Sequence, residues 1–462
     1  MRPDDLIIDA NLIRQFDRPG PRYTSYPTAD RFVEAFGADA YRRALEERSI
    51  GTLARPLSLY VHLPFCSTIC YYCACNKIIT KDHGRSAKYL RYLGREMALV
   101  EATLGTRQRI DQLHWGGGTP TFLNQQELRD LMGGIRSHFV IDAQAECSIE
   151  VDPRSADPET VRVLAEIGFN RISVGVQDFD PAVQRAVNRI QTYEQTAALV
   201  EAARAAGFKS VNVDLIYGLP KQNTSSFHET INKVLTLNPD RIALYNYAHL
   251  PTVFKPQRRI DETEMPTAET RLELMLLAIR SLTLGGFRYI GMDHFAKPDD
   301  DLAVAQRLGT LHRNFQGYTT RPECDLVGLG ISAIGAVGPA YAQNVKTLDE
   351  YYDVLDQGKF PVMRGIELNK DDLVRRAVIQ ALMCSFEVSL QAIEIGHLID
   401  FKRYFALEMQ ELREYAQIGL VELDDQWITV TPRGRFLVRA ICMIFDHHLR
   451  TAQARARYSK VI

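Results

Sequence analysis

The chain has 462 residues, 46% apolar and 24% charged, with a formal net charge of −2. That composition is ordinary for a globular protein, the length allows two or three domains around a large core, and the balanced charge argues against a general nucleic-acid binder. No apolar run reaches the ~18 residues of a membrane span and the opening Met-Arg-Pro-Asp-Asp-Leu has no apolar signal core, so a cytoplasmic protein is expected, with cysteines that are reduced or metal-bound rather than disulfide-bonded.

Residues 1–55 are expected to hold no long regular element, because Pro-Gly-Pro and Ser-Tyr-Pro turns at 19–27 interrupt any helix. Arg22, Tyr23 and Tyr26 add cationic and aromatic groups to what reads as a surface arm. From about 56 to 300, β-branched runs alternate with helical stretches. The strand candidates are Leu57–Leu63, Gln112–Trp115, Glu146–Val151, Arg171–Val176, Ser210–Ile216, Arg241–Asn246 and Tyr289–Met292. Helices are expected over 86–103, 157–168, 192–207 and 224–237. Such alternation predicts an α/β fold with a parallel sheet, whose ligands gather at the C-terminal ends of the strands. The cysteines, Gly116–Thr119, Glu150, Gln177, Asp214 and Ala248-His249 fall at those ends. Residues 300–345 read as loop-rich around Gly328-Leu-Gly-Ile-Ser-Ala-Ile-Gly335. Residues 346–450 read as helical, with a small hairpin at 420–431, which suggests a winged-helix-like module. Without a large basic surplus, that module is expected to cap a site rather than bind DNA. No heptad pattern stands out, so a monomer is expected.

Four of the eight cysteines lie within Cys66–Cys75, and the first three read C-x3-C-x2-C. Thiolates are soft ligands suited to iron–sulfur, zinc or copper. Structural zinc usually takes four ligands, often two C-x2-C-type pairs, and Cys147, Cys324, Cys384 and Cys442 are isolated. A four-iron cluster needs one ligand per iron, so Cys66, Cys70 and Cys73 would leave one iron open. Cys75 could be a fourth ligand, a catalytic thiol or a bystander. Gly116-Gly-Gly-Thr-Pro120 follows a strand; glycines there form a tight turn or let the backbone approach a ligand. Glu150 could accept hydrogen bonds from ribose hydroxyls or an ammonium group, or be a solvated surface carboxylate. The planar fork of Arg189 suits a carboxylate. His62, His249, His294 and His312 form no H-x-x-x-H pair and read singly as structural; Asp293 and Tyr247 are weaker candidates.

The C-x3-C-x2-C motif after an apolar run, the aromatic Tyr72 before the third cysteine and the Gly116–Pro120 segment together resemble the radical S-adenosylmethionine (SAM) superfamily. Further blocks look like the oxygen-independent coproporphyrinogen III oxidases: Pro21-Arg-Tyr-Thr-Ser-Tyr-Pro27, Tyr217-Gly-Leu-Pro-Lys-Gln222, Asn246-Tyr-Ala-His-Leu-Pro251, Gly291-Met-Asp-His-Phe-Ala296 and His312-Arg-Asn-Phe-Gln-Gly317. This resemblance runs essentially end to end. It implies an open, partial (β/α)6 TIM-like barrel over 56–345, an N-terminal arm over 1–55 that covers the active site, and a mostly helical capping domain over 346–462. It also implies one 4Fe–4S cluster on Cys66, Cys70 and Cys73, without Cys75. Tyr60, Tyr72, Gly117, Gly118, Thr119, Glu150 and Ile334 resemble contacts to a first SAM. Gln177, Arg189, Asp214 and Ala248 resemble contacts to a second. The implied reaction is SAM cleavage by a reduced cluster, then radical decarboxylation of the ring A and B propionates of coproporphyrinogen III to the vinyl groups of protoporphyrinogen IX. A low-potential electron donor is implied as partner, and Arg22, Arg189 and Arg313 are candidate partners of substrate carboxylates. A heme chaperone of the same superfamily is the alternative. Cys75 and the long N-terminal arm favour the oxidase. A zinc-stabilised interaction protein and a radical SAM methyltransferase are further alternatives.

Overall fold

The computed structural model describes residues 10–16, 19–48, 55–105 and 107–451. Of the expected arm, residues 1–9, 17–18 and 49–54 lie outside the described residues, as do residues 452–462 of the expected C-terminal domain. The chain packs as two compact units. One comprises Phe32–Thr270 and Glu323–Glu367; the other combines Met1–Arg31, Arg271–Pro322 and Leu368–Ile462.

The first unit is built on six strands that lie side by side in chain order: β1 Leu57–Leu63, β2 Arg109–Gly117, β3 Val140–Val151, β4 Arg171–Gln177, β5 Ser210–Tyr217 and β6 Arg241–Asn246. All their pairings are parallel, with Val61 opposite Trp115, Leu113 opposite Cys147, Glu150 opposite Ser173, Gly175 opposite Asp214 and Ile216 opposite Tyr245. Parallel strands require crossover connections, which helices supply. These helices are His83–Leu104, Gln125–His138, Pro158–Glu166, Tyr193–Ala205 and Thr224–Leu237. Their starts are encoded locally: Asp82 and Asp157 accept backbone N–H groups of the first turn, and Asn124, Thr192 and Asn223 form reciprocal capping boxes with Glu127, Gln195 and Ser226. Gln125–His138 is a helix that the sequence reading did not single out. Its Gly133-Gly134 pair weakens helix propensity, but the capping box and the buried stripe Leu128, Leu131, Met132 and Ile135 carry it.

Strand residues alternate between faces, and the two faces of this sheet differ in kind. One buries Leu59, Val61, Leu113, Trp115, Ile149, Val174, Val213 and Leu215 completely or nearly so. The other carries a polar network: Ser58 Oγ to Gln112 Oε1 at 3.0 Å, His114 Nδ1 to Ser148 Oγ at 2.6 Å, and Ser173 and Asn212 both donating to Asp214. This sheet with helical crossovers is the α/β arrangement the strand–helix alternation predicts, and it is open rather than closed into a full barrel.

On its other side β1 pairs in parallel with Asp325–Leu329, which is followed by antiparallel Ile334–Val337, Ala340–Asn344 and Val362–Glu367. Residues read as loop-rich therefore hold sheet strands, and one strand lies in the stretch read as helical. Asp325–Leu329 and Ala340–Asn344 are buried at every position, so they show none of the period-2 alternation that announces a strand. The expectation of no long element before residue 55 is also corrected. Ala38–Arg48 is an eleven-residue helix that buries Tyr41 and Leu45, and the proline turns end before it begins.

In the second unit, helices Lys370–Ser385, Leu390–His397 and Ala406–Gln417 accompany a three-stranded sheet of Glu387–Ser389, Val421–Leu423 and Trp427–Val430. The hairpin expected at 420–431 is present. The Pro21–Pro27 segment packs into this unit. Tyr23 donates to Asp446 Oδ2 at 2.9 Å, Tyr26 Oη accepts from His447 N–H at 3.1 Å, and Arg439 Nε donates to Pro21 O at 3.0 Å. Tyr23 and Tyr26 are thus buried rather than displayed on a surface arm. No described helix is long and apolar enough to cross a membrane.

Candidate functional site

At the C-terminal ends of β1–β5 lies a cavity of about 300 Å3, within the usual size range of small-molecule sites. β1 delivers the cysteine segment to its rim. Backbone bonds fix that segment: Ile78 N–H donates to Pro64 O at 2.7 Å, Thr80 N–H to Cys66 O at 3.0 Å and Tyr71 N–H to Val187 O at 2.9 Å. Asn188 Nδ2 holds Ile69 O at 2.7 Å, and His62 Nε2 lies 2.9 Å from Asn76 O. Cys66 and Cys70 are buried, Cys73 is half-buried and Cys75 is exposed, and all four line the cavity. The hydrogen bond from Cys75 pulls the Cys73 thiol down to about 6 against the effect of burial, and the same contact raises Cys75 well above its ordinary value.

Among the described residues, no three His, Cys, Asp or Glu side chains converge where a single ion would sit. An iron–sulfur cluster makes a different demand. Each cysteine binds its own iron, so the sulfurs stand apart around the cluster. Three soft donors spaced around one cavity fit such a group.

The glycine segment leaves β2 beside the cysteines. Gly118 N–H donates to Leu63 O and Thr119 N–H to Phe65 O, both at 2.9 Å, and Thr119 Oγ1 reaches Cys66 Sγ at 3.3 Å. Gly117 has φ 114°, and a Cβ there would stand 2.6 Å from the His62 ring; at Gly118 it would stand 2.6 Å from Pro64 O. The glycines are needed for this close approach of two segments of the chain, in addition to whatever they admit on the cavity side.

Two carboxylates of the cavity titrate in opposite directions. Glu150 accepts from Gly117 N–H at 3.1 Å and lies 3.5 Å from His114 Nε2. Burial would raise its carboxyl, but the side chain opens on the cavity, and His114 and Gly117 hold it below its ordinary value. Asp214 accepts from Ser173 Oγ at 3.1 Å and Asn212 Nδ2 at 2.8 Å; burial and then the charge of Glu150 push it up to about 7. Paired titratable groups driven apart in this way mark acid–base or ligand sites. Nearby, Asp152 binds Arg154 Nη2 at 2.6 Å and Arg189 Nη1 at 3.0 Å. Burial opposes its ionisation, but the two guanidinium groups win and hold it at about 2. Gln177, at the end of β4, has φ 68°, a left-handed conformation of the kind that accumulates at functional sites.

The cavity thus gathers Cys66, Cys70, Tyr72, Cys73, Gly117, Gly118, Thr119, Glu150, Gln177, Arg189 and Asp214. Tyr60, Ala248 and Ile334 lie outside its lining. The Tyr60 ring stacks on His114 at 5.8 Å, and its hydroxyl lies 3.1 Å from His62 Nδ1. Ala248 O accepts from Gln257 Nε2 at 3.1 Å, and Ile334 opens a sheet strand. Tyr72 also packs against a cluster that includes Val187, Ile216 and Leu219. Of the proposed carboxylate partners, Arg22 pairs with Asp293 and Arg189 with Asp152, whereas the buried Arg313 lies over the Tyr318 ring at 4.7 Å. His249 sits between Tyr247 Oη at 2.9 Å and Glu262 at 3.0 Å. Burial lowers His62, and it lowers His312 to about 4.

Sequence reasoning missed His114, Asp152, Arg154 and Ser173. Asp152 and Arg154 directly follow β3, so the strand-end rule that flags Glu150 reaches them as well. His114 and Ser173 become visible only once the register sets them beside Glu150 and Asp214.

The model of the radical SAM superfamily matches residues 60–234, and that of the HemN C-terminal domain matches residues 368–437. The oxygen-independent coproporphyrinogen III oxidase of Pseudomonas aeruginosa is 52% identical over 99% of this chain and the whole of that protein. That of Escherichia coli K12 is 48% identical over 98% of each. The solved structure of coproporphyrinogen III oxidase (HemN) from Escherichia coli, described as a radical SAM enzyme, superposes with a TM-score of 0.91 at 47% identity. It covers 96% of this chain and 99% of that one.

Proposed function

The chain belongs to the oxygen-independent coproporphyrinogen III oxidase family of radical SAM enzymes, and from that membership we propose how its residues carry the reaction. The enzyme is an oxidoreductase of porphyrin biosynthesis that uses an iron–sulfur cluster and SAM to convert the ring A and B propionates of coproporphyrinogen III to vinyl groups. The observation that carries the reading is the single cavity in which three cysteines, the glycine segment and the Glu150–Asp214 pair meet. When bound, the cluster and SAM supply a deoxyadenosyl radical that takes a hydrogen atom from a substrate propionate.

Cys66, Cys70 and Cys73 would hold the cluster, and Cys75 would not be a ligand. Ionised Glu150 and the backbone of Gly117–Thr119 receive the ammonium and hydroxyl groups of one SAM. Tyr72 packs against it, with Tyr60 and Ile334 supporting from behind the lining. Gln177, Arg189, Asp214 and Ala248 hold a second SAM. Asp214, titrating near 7, can donate a hydrogen bond when neutral and accept one when ionised. The apolar wall of Val187, Ile216 and Leu219 behind Tyr72 keeps water from the radical chemistry. Residues 56–345 carry catalysis, with 1–55 as arm and 346–462 as capping module. The protein acts as a cytoplasmic monomer supplied by a low-potential one-electron donor.

The test is an anaerobic assay of the reconstituted protein with SAM, a reductant and coproporphyrinogen III, following protoporphyrin, carbon dioxide and 5′-deoxyadenosine together. Formation of all three is expected. Tight heme binding with none of them would instead favour a heme chaperone.

A further inference from the structure

We propose that Arg154 and Arg189, held together by Asp152, set the reduction potential of the cluster through the sulfur of Cys70. The inference rests on the reading above that Cys70 is a cluster ligand. Arg154 Nη2 lies 3.2 Å from Cys70 Sγ and Arg189 Nη1 lies 3.6 Å from it. Both guanidinium groups also grip Asp152, at 2.6 and 3.0 Å, and Arg189 Nη2 is anchored on Gly175 O at 2.5 Å. Asp152 and Arg189 are buried. The three side chains therefore form a fixed group of net charge +1, from two cations and one anion, aimed at one sulfur. Among the described residues, the Cys66 sulfur by contrast accepts from a neutral hydroxyl, that of Thr119.

Reduction moves one electron from the low-potential donor onto the cluster and makes it more negative. Hydrogen bonds to cluster sulfurs and nearby charge are recognised levers on potential. In a partly buried site a cation a few ångströms away favours the reduced state, because Coulomb energy grows as the effective dielectric falls. Arg154 and Arg189 therefore raise the potential. Asp152 aligns both donors and offsets part of their charge. The two kinds of residue act through Cys70 and are positioning groups, so substitutions of opposite charge sense should move the potential in opposite directions.

The experiment is a redox titration, followed by electron paramagnetic resonance, of the full chain and its Arg154→Leu and Asp152→Asn variants, each with iron and sulfide counted. Arg154→Leu is expected to make reduction about tenfold less favourable, a shift of about 59 mV to more negative potential for one electron. Asp152→Asn is expected to shift the potential the other way. Shifts of the same sign, or potentials equal to that of the unaltered protein with the cluster intact, would overturn the proposal. If Arg154→Leu fails to hold a cluster, Asp152→Asn decides alone: a positive shift supports the proposal, and no shift or a negative one overturns it. A Cys70→Ser protein that keeps its full iron and an unchanged potential would instead defeat the ligand assignment on which the proposal rests.

Discussion

Glu96 and Asp214 are acids of the same unit, both raised to about 7 first by burial, yet their surroundings are opposite. Glu96, on the helix His83–Leu104, is surrounded by donors: Tyr351 Oη at 2.6 Å, Gly330 N–H at 2.7 Å and Asn344 Nδ2 at 2.7 Å. It ties that helix to the segments on either side of Ile334, and nothing is left for a ligand to do. Asp214 has Ser173 and Asn212 behind it, faces the cavity and shares that cavity with Glu150. A perturbed acid by itself is therefore no sign of a site. What distinguishes the two is the unfilled space beside Asp214.

The contrast can be broken by substitution. The largest expected effect is Glu150→Ala, which removes the only cavity carboxylate held ionised by His114 and Gly117 among the described residues. Formation of 5′-deoxyadenosine should fall by about a thousandfold, some 4.1 kcal/mol at 1.36 kcal/mol per decade, with little change in melting temperature. Next is Glu96→Ala. It strands three buried donors, each costing about 1–3 kcal/mol, and should lower unfolding stability in urea by about 3 kcal/mol while leaving iron content unchanged. If Glu96→Ala abolished SAM cleavage without loss of stability, the contrast would fail.

Smaller effects sharpen it. Glu96 has a folded value above its unfolded one, so the folded state binds its proton more tightly. Its stability contribution is present in full below the ordinary carboxyl range and is lost as pH rises towards about 7. Glu96→Gln should flatten the stability–pH curve across that window, measured by urea unfolding at several pH values. Asp214→Asn should instead remove the pH dependence of SAM binding near neutrality. The smallest effect is expected of Cys75→Ser, which should keep a four-iron absorption spectrum; loss of the cluster would show that Cys75 is a fourth ligand.

Much of this site could be read along the chain, because its parts are local. The spacing of Cys66, Cys70 and Cys73, the Gly116–Pro120 run and the capping residues Asn124, Thr192 and Asn223 each act over a few residues, and backbone sterics and ligand chemistry are fixed at that range. The order of β1–β6 could be read for the same reason, since each strand is followed by its own crossover helix. Other features depended on the assembled sheet. Asp325–Leu329 and Ala340–Asn344 belong to it and are buried at every position, and such a strand leaves no alternation to read. His114 and Ser173 became site residues only when the parallel register set them beside Glu150 and Asp214. The meeting of Arg154 with Cys70, and the choice of Asp293 as the partner of Arg22, bring together side chains far apart in sequence. Such pairings are decided by which partly buried polar groups meet once the chain has folded, since a charge withdrawn from water without a partner costs stability.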